Sequence, residues 1–196
     1  MGRTRSTPYK PKDSSAGRFM GFNRIAGVEG DHETEYMTRL WFGRLRIHIF
    51  HRGDGDPDCH DHPWDFWTFP LTSYVEEVVH EVRETMAYYD EQSMTPIQRD
   101  MPPRYFKTME VVKAWRWNYR PAEHCHRVIG PYSGGYGGRN AHTLEPGTRP
   151  GRIITIVWRG TARRKWGFLK DRDGRWCWIG WKEYVYKGGK NAPCGD

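Results

Sequence analysis

No C-x-x-C pair occurs among the four cysteines, Cys59, Cys125, Cys177 and Cys194. Their spacing excludes a zinc ribbon and a thioredoxin-type motif. The N-terminus has no apolar h-region, so export is not expected; free thiols and a cytoplasmic location follow as expectations. No apolar run approaches the roughly 20 residues that cross a bilayer, so no membrane partner is expected. Serine, histidine and acid do not fall in the order of a nucleophilic triad. The glycine-rich "GPYSGGYGG" lacks the lysine-serine ending of a phosphate-cradling loop. The turn "GDGDPD" lacks the glycine and terminal glutamate of an EF-hand. Helical periodicity is scarce as well, and only residues 182–186 read as a short helix.

Aromatic side chains are abundant at 15%, a share that disordered chains do not reach and that predicts a packed core. With 22 glycines and 13 prolines the chain turns often, which favours short strands. Its 196 residues suit one sizeable domain. The boundaries expected are a flexible basic arm over 1–18, a single domain over 19–187 and a C-terminal tail over 188–196. The net charge of +7 is uneven. Residues 1–24 hold six cations against one acid, and residues 159–196 hold ten against four, leaving the middle net negative. The basic ends admit a nucleic-acid contact, but no nucleic-acid motif accompanies them, so a solvated surface is the preferred reading.

Strand signals recur along the chain. In "LWFGRLRIHIFHR", Leu45, Ile47 and Ile49 share one face while Arg44, Arg46, His48 and Phe50 share the other. "SYVEEVVHEV" and "RIITIVWRG" read as core strands, and residues 85–110 as an extended excursion. Residues 165–181 read as a hairpin turning at Asp173-Gly174. Residues 130–151, rich in glycine and proline, read as a long loop. Many short strands with turn signals predict an all-β barrel or sandwich.

Within "PDCHDHPWDF", His60 and His62 stand two apart, so in a strand both imidazoles leave one face and can share an ion. "PAEHCHRV" supplies a second cluster, with His124 and His126 again two apart. Imidazole suits iron, zinc, copper and nickel, and manganese less selectively. Cys59 and Cys125 alternate to the opposite face and are expected to pack. Trp64, Trp67, Trp115 and Trp117 are expected in the core.

"CHDHPWDF" followed by "RPAEHCHRV" resembles the two motifs of the cupin superfamily: H-x-H near the start of a strand, then a proline with a histidine five residues on, here Pro121 and His126. The resemblance implies a double-stranded β-helix, a cupin-like jelly-roll barrel spanning residues 40–185, with one metal on His60, His62 and His126. The glutamate of the cupin pattern would fall at Phe66 or Trp67, and neither binds metal. A three-histidine site is therefore the first reading; two or three histidines with Asp65 is the second, and a ligand role for His124 stays open. A three-histidine site is similar to that of the thiol dioxygenases. That likeness implies Fe(II) with open positions for substrate and dioxygen, while zinc, manganese and nickel remain open.

Arg46 and His48 on one strand face, and Arg120 beside the second cluster, are the candidate substrate contacts, since guanidinium clamps carboxylate or phosphate bidentately. The leading function is a mononuclear non-haem iron oxygenase acting on a small molecule. The alternatives are a metal-dependent cupin isomerase or hydrolase, and a non-catalytic module for a small ligand or nucleotide. A homodimer is expected by analogy with cupins.

Overall fold

A computed structural model describes residues 18–29, 32–89, 95–137 and 144–195. The arm expected over 1–18 lies, apart from Arg18, outside the described residues. Among the described residues fifteen strands and one helix follow one another: β1 (Met20–Glu29), β2 (His32–Phe42), β3 (Leu45–Phe50), β4 (Cys59–His60), β5 (Phe66–Pro70), β6 (Tyr74–Val82), β7 (Thr85–Tyr89), β8 (Pro96–Asp100), β9 (Arg104–Val112), β10 (Asn118–Arg120), β11 (Cys125–Gly137), β12 (Glu145–Thr148), β13 (Ile153–Arg159), β14 (Gly167–Arg172), β15 (Arg175–Gly180) and α1 (Trp181–Tyr186). The short helix and the 165–181 hairpin stand where the sequence places them. The hairpin turns on Asp173 (φ 57°) and Gly174 (φ 77°), the left-handed pair that a two-residue turn needs.

Among the described residues the strands form two large sheets, ordered β1-β2-β3-β13-β5-β10 and β15-β14-β4-β11-β6-β9, with β12 paired to β11, and a separate two-stranded sheet of β7 and β8. The pairings β3·β13, β4·β11, β5·β10 and β6·β9 are nested, first strand with last and inward from there. An antiparallel ribbon wrapped on itself in this way is a jelly roll, and the chain is all-β with a cupin-like barrel.

Inside, the two ends differ. One is filled by Met37, Phe50, Tyr74, Val112, Val128 and Ile153. Along the inner face of the first sheet the chain then places buried polar side chains: Thr155, Thr68 and Arg46. On the outward side of the second sheet Cys59, Val79 and Cys125 pack with Tyr105, Leu169 and Trp176, so both cysteines serve packing as expected. Gly167 permits a close approach there, because a Cβ would lie 2.0 Å from the Ile179 carbonyl oxygen.

Three expectations are corrected. The described parts of the 130–151 stretch are not all loop: β11 runs on to Gly137 and pairs with β12 (Glu145–Thr148), so the ladder satisfies backbone groups that glycine-rich composition had suggested were unpaired. Residues 138–143 lie outside the described residues. Trp67, Trp115 and Trp117 are exposed, not core. Phe42, Leu45, Trp158, Trp67 and Tyr119 align in register across the outer face of five strands of the first sheet. Trp64 is half-buried beneath the Arg159 guanidinium, 4.9 Å from its ring centroid. Cys177 and Cys194 are joined in a disulfide rather than free. The segment after residue 187 folds back on β14, where buried Lys170 donates from Nζ to the carbonyls of Gly189 and Ala192, and this brings Cys194 to β15. No helix among the described residues is long and apolar enough to cross a membrane.

Candidate metal centre

His126 on β11 stands directly opposite His60 on β4. His62 follows just past the end of β4, and its backbone N–H donates to the carbonyl of Ala122 at 2.9 Å. The three imidazoles meet inside the barrel. Ring centroids are 5.2 Å apart for His60–His62, 5.5 Å for His60–His126 and 5.2 Å for His62–His126. One nitrogen from each lies within 4.8 Å of the others. The Nε2 atoms of His62 and His126 are 3.0 Å apart. Two nitrogens bound at about 2.0–2.1 Å to one tetrahedral or octahedral ion sit about 3 Å from each other, so this spacing fits a shared metal.

The group that sequence reading misses is Glu76. It lies on β6, inside the barrel, with no exposed surface. Its Oε2 accepts from His126 Nδ1 at 2.7 Å, and its Oε1 is shared by Arg120 Nη2 and by His124 Nε2 at 3.3 Å. Burial alone would raise the Glu76 carboxyl, but His126, His124 and Arg120 outweigh it and hold the group ionised, well below the usual carboxylate range. An ionised carboxylate on Nδ1 fixes the tautomer of His126 and leaves its Nε2 lone pair facing His62 and His60.

A second set, Glu76, His124 and His126, also has ligand atoms within 4.8 Å of one another. There, however, Glu76 already accepts three hydrogen bonds. Residues 121–124 form a turn, with His124 N–H donating to the Pro121 carbonyl at 3.0 Å, so the extended segment on which His124 would have shared a face with His126 does not form. The His60–His62–His126 set has no such competing claims on its converging nitrogens. Burial lowers His60 to about 3 and His62 well below its ordinary value, reinforced in both by neighbouring histidines. Burial thus keeps His60 and His62 neutral, as metal ligands must be.

The acids beside the histidines face away and clamp β4. Asp58 accepts a bidentate pair from Arg172 at 2.9 and 2.6 Å and a bond from Tyr184 OH at 2.9 Å. Asp61 accepts from Gly167 N–H at 2.7 Å, Trp178 Nε1 at 2.9 Å and Arg164 at 2.8 Å. Tyr184 also stacks on Phe168, whose ring touches His60 at 5.7 Å. Asp65, the alternative ligand, is turned elsewhere: it accepts from Ala122 N–H at 2.8 Å and from Arg163 at 2.6 Å, which makes it the pin between the His62 segment and the second histidine cluster.

Of the candidate substrate contacts, Arg46 and His48 point into the barrel. Arg46 is 7% exposed, and His48 stands in register between Arg39 and Thr155. Arg120 is engaged by Glu76.

No protein-family model and no curated protein matches the chain. A solved structure, Fe(II)-HppE with the alternative substrate (S)-1-HPP, aligns over 69% of this chain at 10% identity with a TM-score of 0.33. The chain spans about half the length of that protein, 54% of it being covered.

Proposed function

We propose that the protein is a metal-dependent enzyme of the mononuclear, three-histidine cupin kind, with Fe(II) the preferred ion and a small molecule as substrate. One observation carries the reading: His60 and His62, more than sixty residues before His126 in sequence, bring one nitrogen each to within 4.8 Å of one another and of one from His126. Three neutral ligands leave a divalent ion more positive than a carboxylate ligand would, which favours an anionic substrate group. When bound, the ion supplies Lewis acidity and one-electron chemistry. The chain's own part is positional. Glu76 orients His126, Asp58 and Asp61 hold β4, and Asp65 fixes the turn that carries His62.

The test is elemental analysis of protein purified without added metal, beside His62→Ala. About one iron per wild-type chain and a clear loss in the variant are expected; equal metal in the two removes His62 from the site. Oxygen uptake by iron-loaded protein with a panel of small thiols and acids then tests the oxygenase assignment, and silence across the panel leaves the isomerase or hydrolase reading in its place.

A further inference from the structure

A diagonal of cations crosses the inner face of the first sheet, and the metal centre makes no use of it. Arg39 on β2 pairs in register with His48 on β3, two residues beyond Arg46; Arg46 pairs with Val157 on β13, two residues before Arg159. Side chains on such diagonals are about 7–8 Å apart, within reach of arginine. Arg46 is buried, yet its Nη1 donates only to main-chain carbonyls, Gly43 at 2.6 Å and Leu45 at 3.0 Å. Arg159 lies over the Trp64 ring, and its Nε is buried with no hydrogen-bond partner. The charges that act on Arg46 are Arg159 and Arg39, and those that act on His48 are Arg39 and Arg46; no carboxylate is among them. Burial first, then these neighbours, lowers Arg46 to about 10. Holding the buried Arg46 guanidinium and the buried Arg159 Nε without an anion is costly, and the cost is relieved when an anion binds between these two side chains.

The cluster sits at the histidines' end of the barrel. Arg159 pairs with Phe66, whose ring packs on His62 at 4.6 Å. Gly160 N–H donates to the Asp65 carbonyl at 2.7 Å, which ties the end of β13 to the His62 segment.

We propose that Arg46 and Arg159, with Arg39 beside them, form the anion-binding half of the substrate site and select a small molecule with a doubly charged oxyanion head, a phosphate or a dicarboxylate. A single carboxylate would leave most of the cationic charge unanswered, so amino-acid monoanions are poor candidates. As a statement about substrate this rests on the metal-enzyme reading; as a binding site it does not.

The experiment is a calorimetric titration of inorganic phosphate, succinate and acetate into the full chain, metal-loaded and chelator-treated, for wild type, Arg46→Met, Arg159→Met and His62→Ala. Wild type is expected to bind phosphate or succinate at least about tenfold tighter than acetate, with or without metal. Each arginine variant loses about tenfold in dianion affinity while its metal content is unchanged. His62→Ala loses metal and keeps dianion affinity. Arg159 lies nearer the rim, so Arg159→Met decides the matter if Arg46→Met does not fold. Acetate binding as tightly as the dianions, or both arginine variants binding like wild type, overturns the proposal. Arginine-dependent dianion binding in a chain that holds no metal overturns the metal reading and leaves the anion site standing. Which of phosphate and succinate binds more tightly identifies the head group.

Discussion

His126 gives its two ring nitrogens to different partners: Nδ1 is 2.7 Å from Glu76 Oε2, and Nε2 is 3.0 Å from His62 Nε2. Glu76 thus stands behind the histidine rather than beside it at the ion. Glu76→Gln should keep a metal but bind it about 10–100-fold more weakly, the usual effect of losing such an outer partner. His126→Ala should abolish binding. Competition against a chromogenic chelator measures both. Complete metal loss in a folded Glu76→Gln chain would make Glu76 a ligand and shift the centre to the Glu76–His124–His126 set.

Asp61 holds β4 from behind, and it is 4% exposed with three donors pointing at it. Asp61→Ala leaves Gly167 N–H, the Trp178 indole and Arg164 without their acceptor. It should cost about 3–5 kcal/mol in urea unfolding, and Asp61→Asn, which keeps an acceptor oxygen, distinctly less. A near-neutral Asp61→Ala would mean that water replaces the carboxylate readily.

The metal-free protein should weaken on mild acidification. Burial, foremost, holds His48, His60, His62 and His124 below their ordinary value. Below about pH 6.5 the unfolded chain takes up protons on these rings that the folded chain refuses, so stability falls as pH falls. His48, His60 and His62 should each contribute about 2 kcal/mol of loss by pH 5. Asp54 works the other way: raised to about 6 by burial, it gains its proton first in the folded state and returns about 1 kcal/mol. A net loss of roughly 5 kcal/mol between pH 7 and 5 is expected from urea midpoints with chelator present. A flat profile would show that the rings are hydrated.

Reduction should loosen the C-terminal segment. The Cys177–Cys194 bridge closes a span of 17 residues, and chain-entropy arguments give about 3 kcal/mol for a loop of that size. Cys177→Ser should lower stability by that order. Its metal content should be unchanged, because the contacts of Lys170, Arg172 and Tyr184 remain.

Period two made β3, β6 and β13 legible, and Asp173-Gly174 announced its hairpin, because these signals are local. Alternation alone suggested that His60 and His62 share a face, whereas the second H-x-H does not follow it, because residues 121–124 turn and only His126 joins them. What escaped depends on which way a face points. In "YVEEVVHEV" two adjacent glutamates look alike, yet Glu76 enters the barrel while Glu77 meets Arg127 and Lys107 on the other side. Trp67 looked like core because bulk apolar character says nothing about side, and it lies outside while Arg46 lies within. The pairing of β11 with β12 was hidden because glycine pairs in a ladder through its backbone alone. The disulfide depends on a fold-back that no local pattern announces.

Arg172, Trp178 and Tyr184, which secure Asp58 and Asp61, come more than a hundred residues after the strand they secure. During synthesis that strand therefore emerges long before its clamp. A ribosome-bound nascent chain ending before Arg172 would carry His60, His62 and His126 and still lack the frame that sets them, so the site is complete only once residues 172–184 have emerged.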